Sequence, residues 1–212
     1  MELTVGMTHS KASQDSISPS VAVELLKEGN KRFLSKSFAN RDFNAQVDAT
    51  STGQYPFASV VSCIDSRIPT EIIFDQGIGD IFNARIAGNF VNPDILGSLE
   101  FACKLAGSKV IVIMGHTSCG AVKGACDHAK LGNLTQMLDK IMPAVVSTTT
   151  GEGEERSSAN LDFVNRVSEA NVKMTIERVK SDSPVLKEMY DAGEIDIVGA
   201  MYDVKSGSVT FY

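Results

Sequence analysis

The sequence predicts an α/β fold: a central, mostly parallel β-sheet flanked by helices, with an N-terminal helical arm and a C-terminal antiparallel hairpin. Two observations carry this expectation. Residues 57–63 and 109–115 are short, almost unbroken apolar runs, the pattern of strands buried on both faces. Around them lie longer segments whose apolar residues recur at helical spacing, so strands and helices alternate as a parallel sheet requires.

Residues 1–19 are polar and rich in Ser and Thr, and are expected to form a flexible tail ahead of a single domain over 20–212. From Pro19 to about Lys36, the apolar residues Val21, Val23, Leu25, Leu26, Phe33 and Leu34 recur at near-helical spacing between Lys and Glu, which predicts the N-terminal helix. Residues 57–63 form the first strand and end on Cys63. Pro69-Thr70-Glu71 then opens a short helix, with proline in the first turn, where its missing N–H costs nothing. Gly77-Ile78-Gly79 lacks the third glycine of a dinucleotide loop and reads as a turn before a strand over 80–86.

Asn92, Pro93 and Asp94 make a helix start of cap, first-turn proline and favourable acid, and Leu96, Leu99, Cys103 and Ala106 continue its apolar face to Gly107. The strand over 109–115 follows and delivers His116 at its end. Helices are predicted over 120–130, over 133–147 with an interruption at Pro143, and over 158–179; the polar break at 147–154 is too short to link domains. Ser183-Pro184 restarts a helix, and 194–204 pairs with 208–212 in a hairpin around Ser206-Gly207.

Composition narrows the function classes. The chain has 212 residues, 43% of them hydrophobic, which is ample for one sizeable core. Its 20 basic against 26 acidic side chains give a net charge of -6 with no basic cluster, which disfavours a nucleic-acid or anionic-membrane partner. Nowhere do 18 apolar residues run together, and the first 20 residues lack a basic region followed by an apolar core. Four cysteines are too few for a disulfide scaffold and suit a reducing compartment, so the cytoplasm is the expected location, with an organelle left open.

The chemistry concentrates in Cys63-Ile64-Asp65-Ser66-Arg67 and His116-Thr117-Ser118-Cys119. Taken singly, a cysteine or a strand-end histidine is as often a core residue. Together, two thiols and an imidazole at the carboxyl ends of two parallel strands can supply a three-ligand zinc site, and catalytic zinc keeps its fourth position for water. Asp65 lies two residues from Cys63 in an extended segment, hence on the same side. It is either a fourth ligand that closes the site or an acceptor that orients the zinc-bound oxygen, and Arg67 can hold it off the metal through a bidentate pair. Cys103 falls on an apolar helix face and Cys126 lacks a partner at ligand spacing, so both read as core; His9 and His128 are likewise unsupported as ligands. A cysteine phosphatase would need an arginine six residues after Cys63, where Pro69 stands, and no C-x-x-C pair supports a redox site.

With CIDSRIPTE at 63–71, ARIAGN at 84–89 and GHTSCGAVKGA at 115–125, the chain resembles the beta class of carbonic anhydrases from about residue 20 to its end. The resemblance implies reversible hydration of carbon dioxide to bicarbonate by zinc-bound hydroxide. One Zn2+ per subunit would be held by Cys63, His116 and Cys119, with Asp65 and Arg67 catalytic. It further implies substrate contacts from Gln54, Phe82, Ala87, Phe101 and Gly120, and a homodimer or tetramer in which the N-terminal helix reaches across the interface. Family members with an inhibitory bicarbonate pocket carry a tryptophan three residues before the first ligand; here Val60 stands there, and Arg85 alone remains of that pocket, so an open site across neutral pH is expected. The same scaffold can instead hydrolyse CS2 or COS, and a closed zinc site in a non-enzymatic binding module is the remaining alternative.

Overall fold

The computed structural model describes residues 6–212. Its strands are β1 (Ala58–Ser62), β2 (Ile81–Arg85), β3 (Val110–His116), β4 (Asp196–Tyr202) and β5 (Val209–Phe211). They form one sheet in the order β2-β1-β3-β4-β5, parallel throughout except for the antiparallel β4–β5 pair. The unbroken apolar runs occupy the middle of that sheet: every residue of β1 and of β3 is buried, which is why neither alternates with polar residues.

Helices cover both faces. They are α1 (Lys11–Asp15), α2 (Pro19–Ser35), α3 (Phe43–Thr50), α4 (Thr70–Ile73), α5 (Pro93–Glu100), α6 (Gly120–Cys126), α7 (Gly132–Asp139), α8 (Met142–Ser147), α9 (Leu161–Asp182) and α10 (Pro184–Asp191). Because strand side chains alternate between faces, Val60, Val112 and Met114 share one core with Leu26 of α2 and Val122 of α6. Val61, Ile111 and Ile113 share the other with Leu96 of α5, Val179 of α9 and Leu186 of α10. The long α2 begins at Ser18, whose hydroxyl accepts from Val21 N, with Pro19 in the first turn. A Cβ on Gly29 of α2 would lie 1.7 Å from Phe74 O, so only glycine lets this helix press against the end of α4.

Several expectations change in detail. The flexible tail over 1–19 is corrected within its described part. Ser10 and Ser13 cap α1 reciprocally, Ile17 is buried, and the fully buried Gln14 donates through Nε2 to Pro56 O at 2.8 Å and Ala106 O at 2.7 Å. A polar sequence reads as solvated, but this amide satisfies two carbonyls at the amino-terminal edge of the sheet. Residues 1–5 lie outside the described residues, and α2 begins at Pro19, the start expected for the N-terminal helix. The helix expected over 133–147 is two, with Pro143 in the first turn of α8. The helix expected over 120–130 ends at Cys126, with His128 beyond it at φ 52°. The helix expected over 158–179 starts at Leu161 under an Asn160 cap and runs on to Asp182. After Glu100 the α5 segment continues as a π-helical turn, Phe101–Leu105.

Candidate metal centre

Two neighbouring parallel strands bring the half-motifs together. Ser62, the last residue of β1, pairs with Met114 of β3, so Cys63 and His116 leave the same edge of the sheet side by side. The chain then turns through Ser118, at φ 55°, to place Cys119 at the start of α6. Thr117 pins that turn: its N–H donates to Tyr202 O at 2.9 Å, and its hydroxyl donates to Asp203 Oδ1 at 3.2 Å while accepting from Val204 N.

The result is a buried cluster. Cys63, His116 and Cys119 are 4%, 0% and 1% exposed, their ligand atoms all lie within 4.8 Å of one another, and the two sulfurs are 4.0 Å apart. Ligands of a tetrahedral zinc stand about 3.5–3.8 Å apart, so small adjustments would close the set on a metal. The imidazole carries the sharper signal. Nδ1–H of His116 donates to Thr117 O at 3.0 Å, which leaves Nε2 with its lone pair, buried and without a hydrogen-bond partner among the described residues. A buried acceptor facing two sulfurs fits a zinc ligand; a core histidine would be expected to have both nitrogens satisfied. Between the thiols, the Cys119 hydrogen bond, working against burial, lowers the Cys63 pKa, while the same bond together with burial raises that of Cys119.

Asp65 lies beside this cluster, with Oδ2 4.0 Å from His116 Nε2. Arg67 holds it three times over: the backbone N–H and Nε donate to Oδ1, both at 2.9 Å, and Nη2 donates to Oδ2 at 2.7 Å. These bonds, led by the guanidinium, keep the carboxyl well below the usual carboxylate range. Arg85 steadies the same loop, donating from Nε to Cys63 O at 3.0 Å and from Nη2 to Asp65 O at 2.6 Å.

The expected substrate residues divide into two groups. Ala87 and Gly120 flank the cluster, since Ala87 adjoins Gly88, whose N–H reaches Cys63 Sγ at 3.4 Å, and Gly120 follows Cys119 with open space where a side chain would be. Gln54 is exposed ahead of the amino end of β1, whose length alone separates it from the cluster by about 16 Å. The rings of Phe82 and Phe101 meet edge to face at 6.3 Å and line a cavity of about 570 Å³ with Ser59 and Leu99, apart from Cys63, His116 and Cys119. Cys103 and Cys126 are buried free thiols, as expected of core residues.

The sequence reading missed Asn165 and Asn171 of α9. Asn165 Oδ1 accepts from Ser118 N at 2.9 Å, and Asn171 Nδ2 donates to Gly88 O at 2.8 Å. One signal was present: Ser168, Asn171 and Thr175 put polar groups on the otherwise apolar buried face of this helix.

Comparison with known proteins agrees with this geometry. Residues 58–209 match a family model described as carbonic anhydrase. The chain is 32% identical over 195 residues to carbonic anhydrase 2 of Mycobacterium tuberculosis, covering 89% of this chain and 90% of that protein. It is also 32% identical over 197 residues to the carbonic anhydrase of Mycolicibacterium smegmatis, covering 90% and 92%. Among solved structures, the b-carbonic anhydrase CafA of Aspergillus fumigatus superposes with a TM-score of 0.68 at 27% identity over 91% of this chain and 89% of that one. Tetrameric beta-carbonic anhydrases of Sordaria macrospora share the fold with a TM-score of 0.66 at 22% identity over 79% and 89%. With its buried Cys-His-Cys cluster at the carboxyl edge of a mostly parallel sheet, the chain belongs to the carbonic anhydrase family, in its beta class.

Proposed function

We propose that this protein hydrates carbon dioxide reversibly to bicarbonate and a proton, using one zinc ion per subunit held by Cys63, His116 and Cys119. Hydration of carbon dioxide is the general reaction of the family. The observation that carries the zinc assignment is the buried, partnerless Nε2 of His116 facing two sulfurs. When bound, zinc supplies the Lewis acidity that makes a nucleophile from water near neutral pH.

The chain's own groups then orient and shelter the reaction. Asp65 is held ionised by Arg67 and accepts a hydrogen bond at Oδ2 from the attacking oxygen, aiming its lone pair. A carboxyl held below the usual range stays deprotonated at neutral pH, which suits an acceptor that orients the attacking oxygen. Ala87 gives an apolar wall suited to carbon dioxide, and Gly120 leaves room for substrate beside the cluster. Gln54, Phe82 and Phe101 serve the centre of a neighbouring subunit in a homodimer or tetramer. Their separation from this chain's own centre supports that reading, as does the tetrameric state of the Sordaria macrospora enzymes.

Stopped-flow hydration of carbon dioxide with zinc-replete protein tests the proposal. Fast turnover that disappears on zinc removal and returns on zinc addition is the expected result. A zinc-loaded protein without hydration activity overturns it, and CS2 and COS become the substrates to assay.

A further inference from the structure

Helix α9 grips both halves of the centre from one rigid element. Asn165 and Asn171 stand six residues apart, about 9 Å along the helix. Asn165 receives the Ser118 N–H immediately before Cys119, and Asn171 donates to Gly88 O while Gly88 N–H donates to Cys63 Sγ. Asn171 is 1% exposed, so its amide is committed to the interior. Gly88 itself has little latitude: its φ is +83°, and a Cβ there would lie 2.4 Å from Ile141 Cδ1. Asparagine is a poor helix former and costly to bury, and at this place it is compensated by a bond that leads to a candidate ligand.

We propose that Asn171 is a positioning residue for the metal centre: by holding the Gly88 carbonyl it aims the Gly88 N–H at the Cys63 sulfur, and so sets how firmly the metal is held and how much charge that thiolate donates. This rests on Cys63, His116 and Cys119 being the zinc ligands. Without the amide, Gly88 O is left buried and unpaired; the peptide after Gly88 turns to find a partner, the Gly88 φ and ψ shift with it, and the N–H in the peptide before Gly88 is drawn off the sulfur. Hydrogen-bond partners just beyond the ligands typically change metal affinity 10–100-fold, and a residue acting through an intervening glycine belongs at the lower end, about tenfold.

The test compares Asn171→Leu with Val179→Ala, a buried substitution on the same helix that leaves the Gly88 peptide untouched. Zinc affinity is read by chelator competition, and thiolate donation by the sulfur-to-metal charge-transfer band of the cobalt(II)-substituted protein. Asn171→Leu should bind zinc about tenfold more weakly and move the band to lower energy, because a sulfur relieved of a hydrogen bond gives up charge more readily. Val179→Ala should lose stability and change neither. A folded Asn171→Leu protein with wild-type affinity and an unmoved band overturns the proposal, as does Val179→Ala producing the same shifts. Wild-type protein that binds no zinc overturns the ligand assignment instead. Should Asn171→Leu fail to fold, wild-type protein loaded with NMR-active cadmium decides: scalar coupling between the metal and the Gly88 amide proton through Cys63 supports the proposal, and its absence overturns it.

Discussion

Asp75 and Asp65 are both held by arginine, and they are held differently. Asp75, just past α4, has a side chain 2% exposed and is met on every side: Arg32 Nε donates to it at 2.5 Å, Ala39 N at 3.1 Å, and Arg41 grips both its carboxylate and its backbone carbonyl. The Asp65 carboxylate, at the opposite edge of the sheet, has among the described residues Arg67 as its one arginine partner, with a side chain 50% exposed, and its other flank faces His116. A carboxylate saturated by its own chain has nothing left to offer a substrate; it ties α2, residues 39–41 and α4 together. A carboxylate gripped from one side keeps a free lone pair beside the metal cluster. The difference assigns stability to Asp75 and rate to Asp65.

The largest effect should come from removing the centre that Asp65 serves. Cys63→Ser is expected to lose zinc and hydration together, with turnover at the uncatalysed level, checked by metal analysis and stopped-flow assay on the same sample. A serine variant that kept zinc and turnover would remove Cys63 from the ligand set.

Asp75→Asn should come next. It leaves Arg41, 6% exposed at its side chain, without its counter-charge, and breaking a buried pair from one side costs about 3–5 kcal/mol. Urea unfolding of the zinc-loaded protein should show that loss, while hydration per folded molecule stays at the wild-type value. A variant of unchanged stability but reduced turnover would exchange the roles assigned to the two carboxylates.

The two regions also differ in how much the sequence revealed. The centre was legible because its parts are local: Cys63 and His116 each end an unbroken apolar run, and Asp65 and Arg67 are two residues apart. The Asp75 cluster joins residues 34 and 43 positions apart, and nothing near Arg41 or Asp75 marks either as buried. Gln14 was hidden in the same way, since its carbonyl partners lie 42 and 92 residues along the chain. Phe82 and Phe101 show the reverse problem. Motif position associates them with the pocket, yet within one subunit they line a separate cavity. Sequence patterns report which face of an element is buried; they do not report which distant polar group waits there.

Arg67→Ala sharpens the comparison at intermediate size. Zinc content should stay full and hydration should fall about 10–100-fold, because Asp65 loses the side-chain donors that orient it. Stability should change by less than about 1 kcal/mol, since the pair is half-exposed and screened. Full activity in this variant would end the orienting role of the pair. A loss of several kcal/mol would make Asp65 a second Asp75.

The smallest effect is a pH dependence confined to Asp75. Burial alone would raise its pKa, but the bonds from Arg32, Ala39 N and Arg41 outweigh burial and leave it below its ordinary value. In the unfolded chain the same carboxyl titrates near about 3.9. Above that value it is ionised in both states and the clamp contributes in full. As pH falls further, the unfolded chain takes up the proton first, and the contribution disappears as pH passes through the lower folded value. The stability gap between wild type and Asp75→Asn should therefore be constant from about pH 7 to 5 and narrow below about pH 4. The gap is a difference between two proteins with the same centre, so acid loss of zinc, common to both, cancels from it. A gap that stayed constant to pH 3 would mean that the arginines are anchored by packing and the Asp75 backbone carbonyl, and that the charge on Asp75 contributes little to holding α2 against α4.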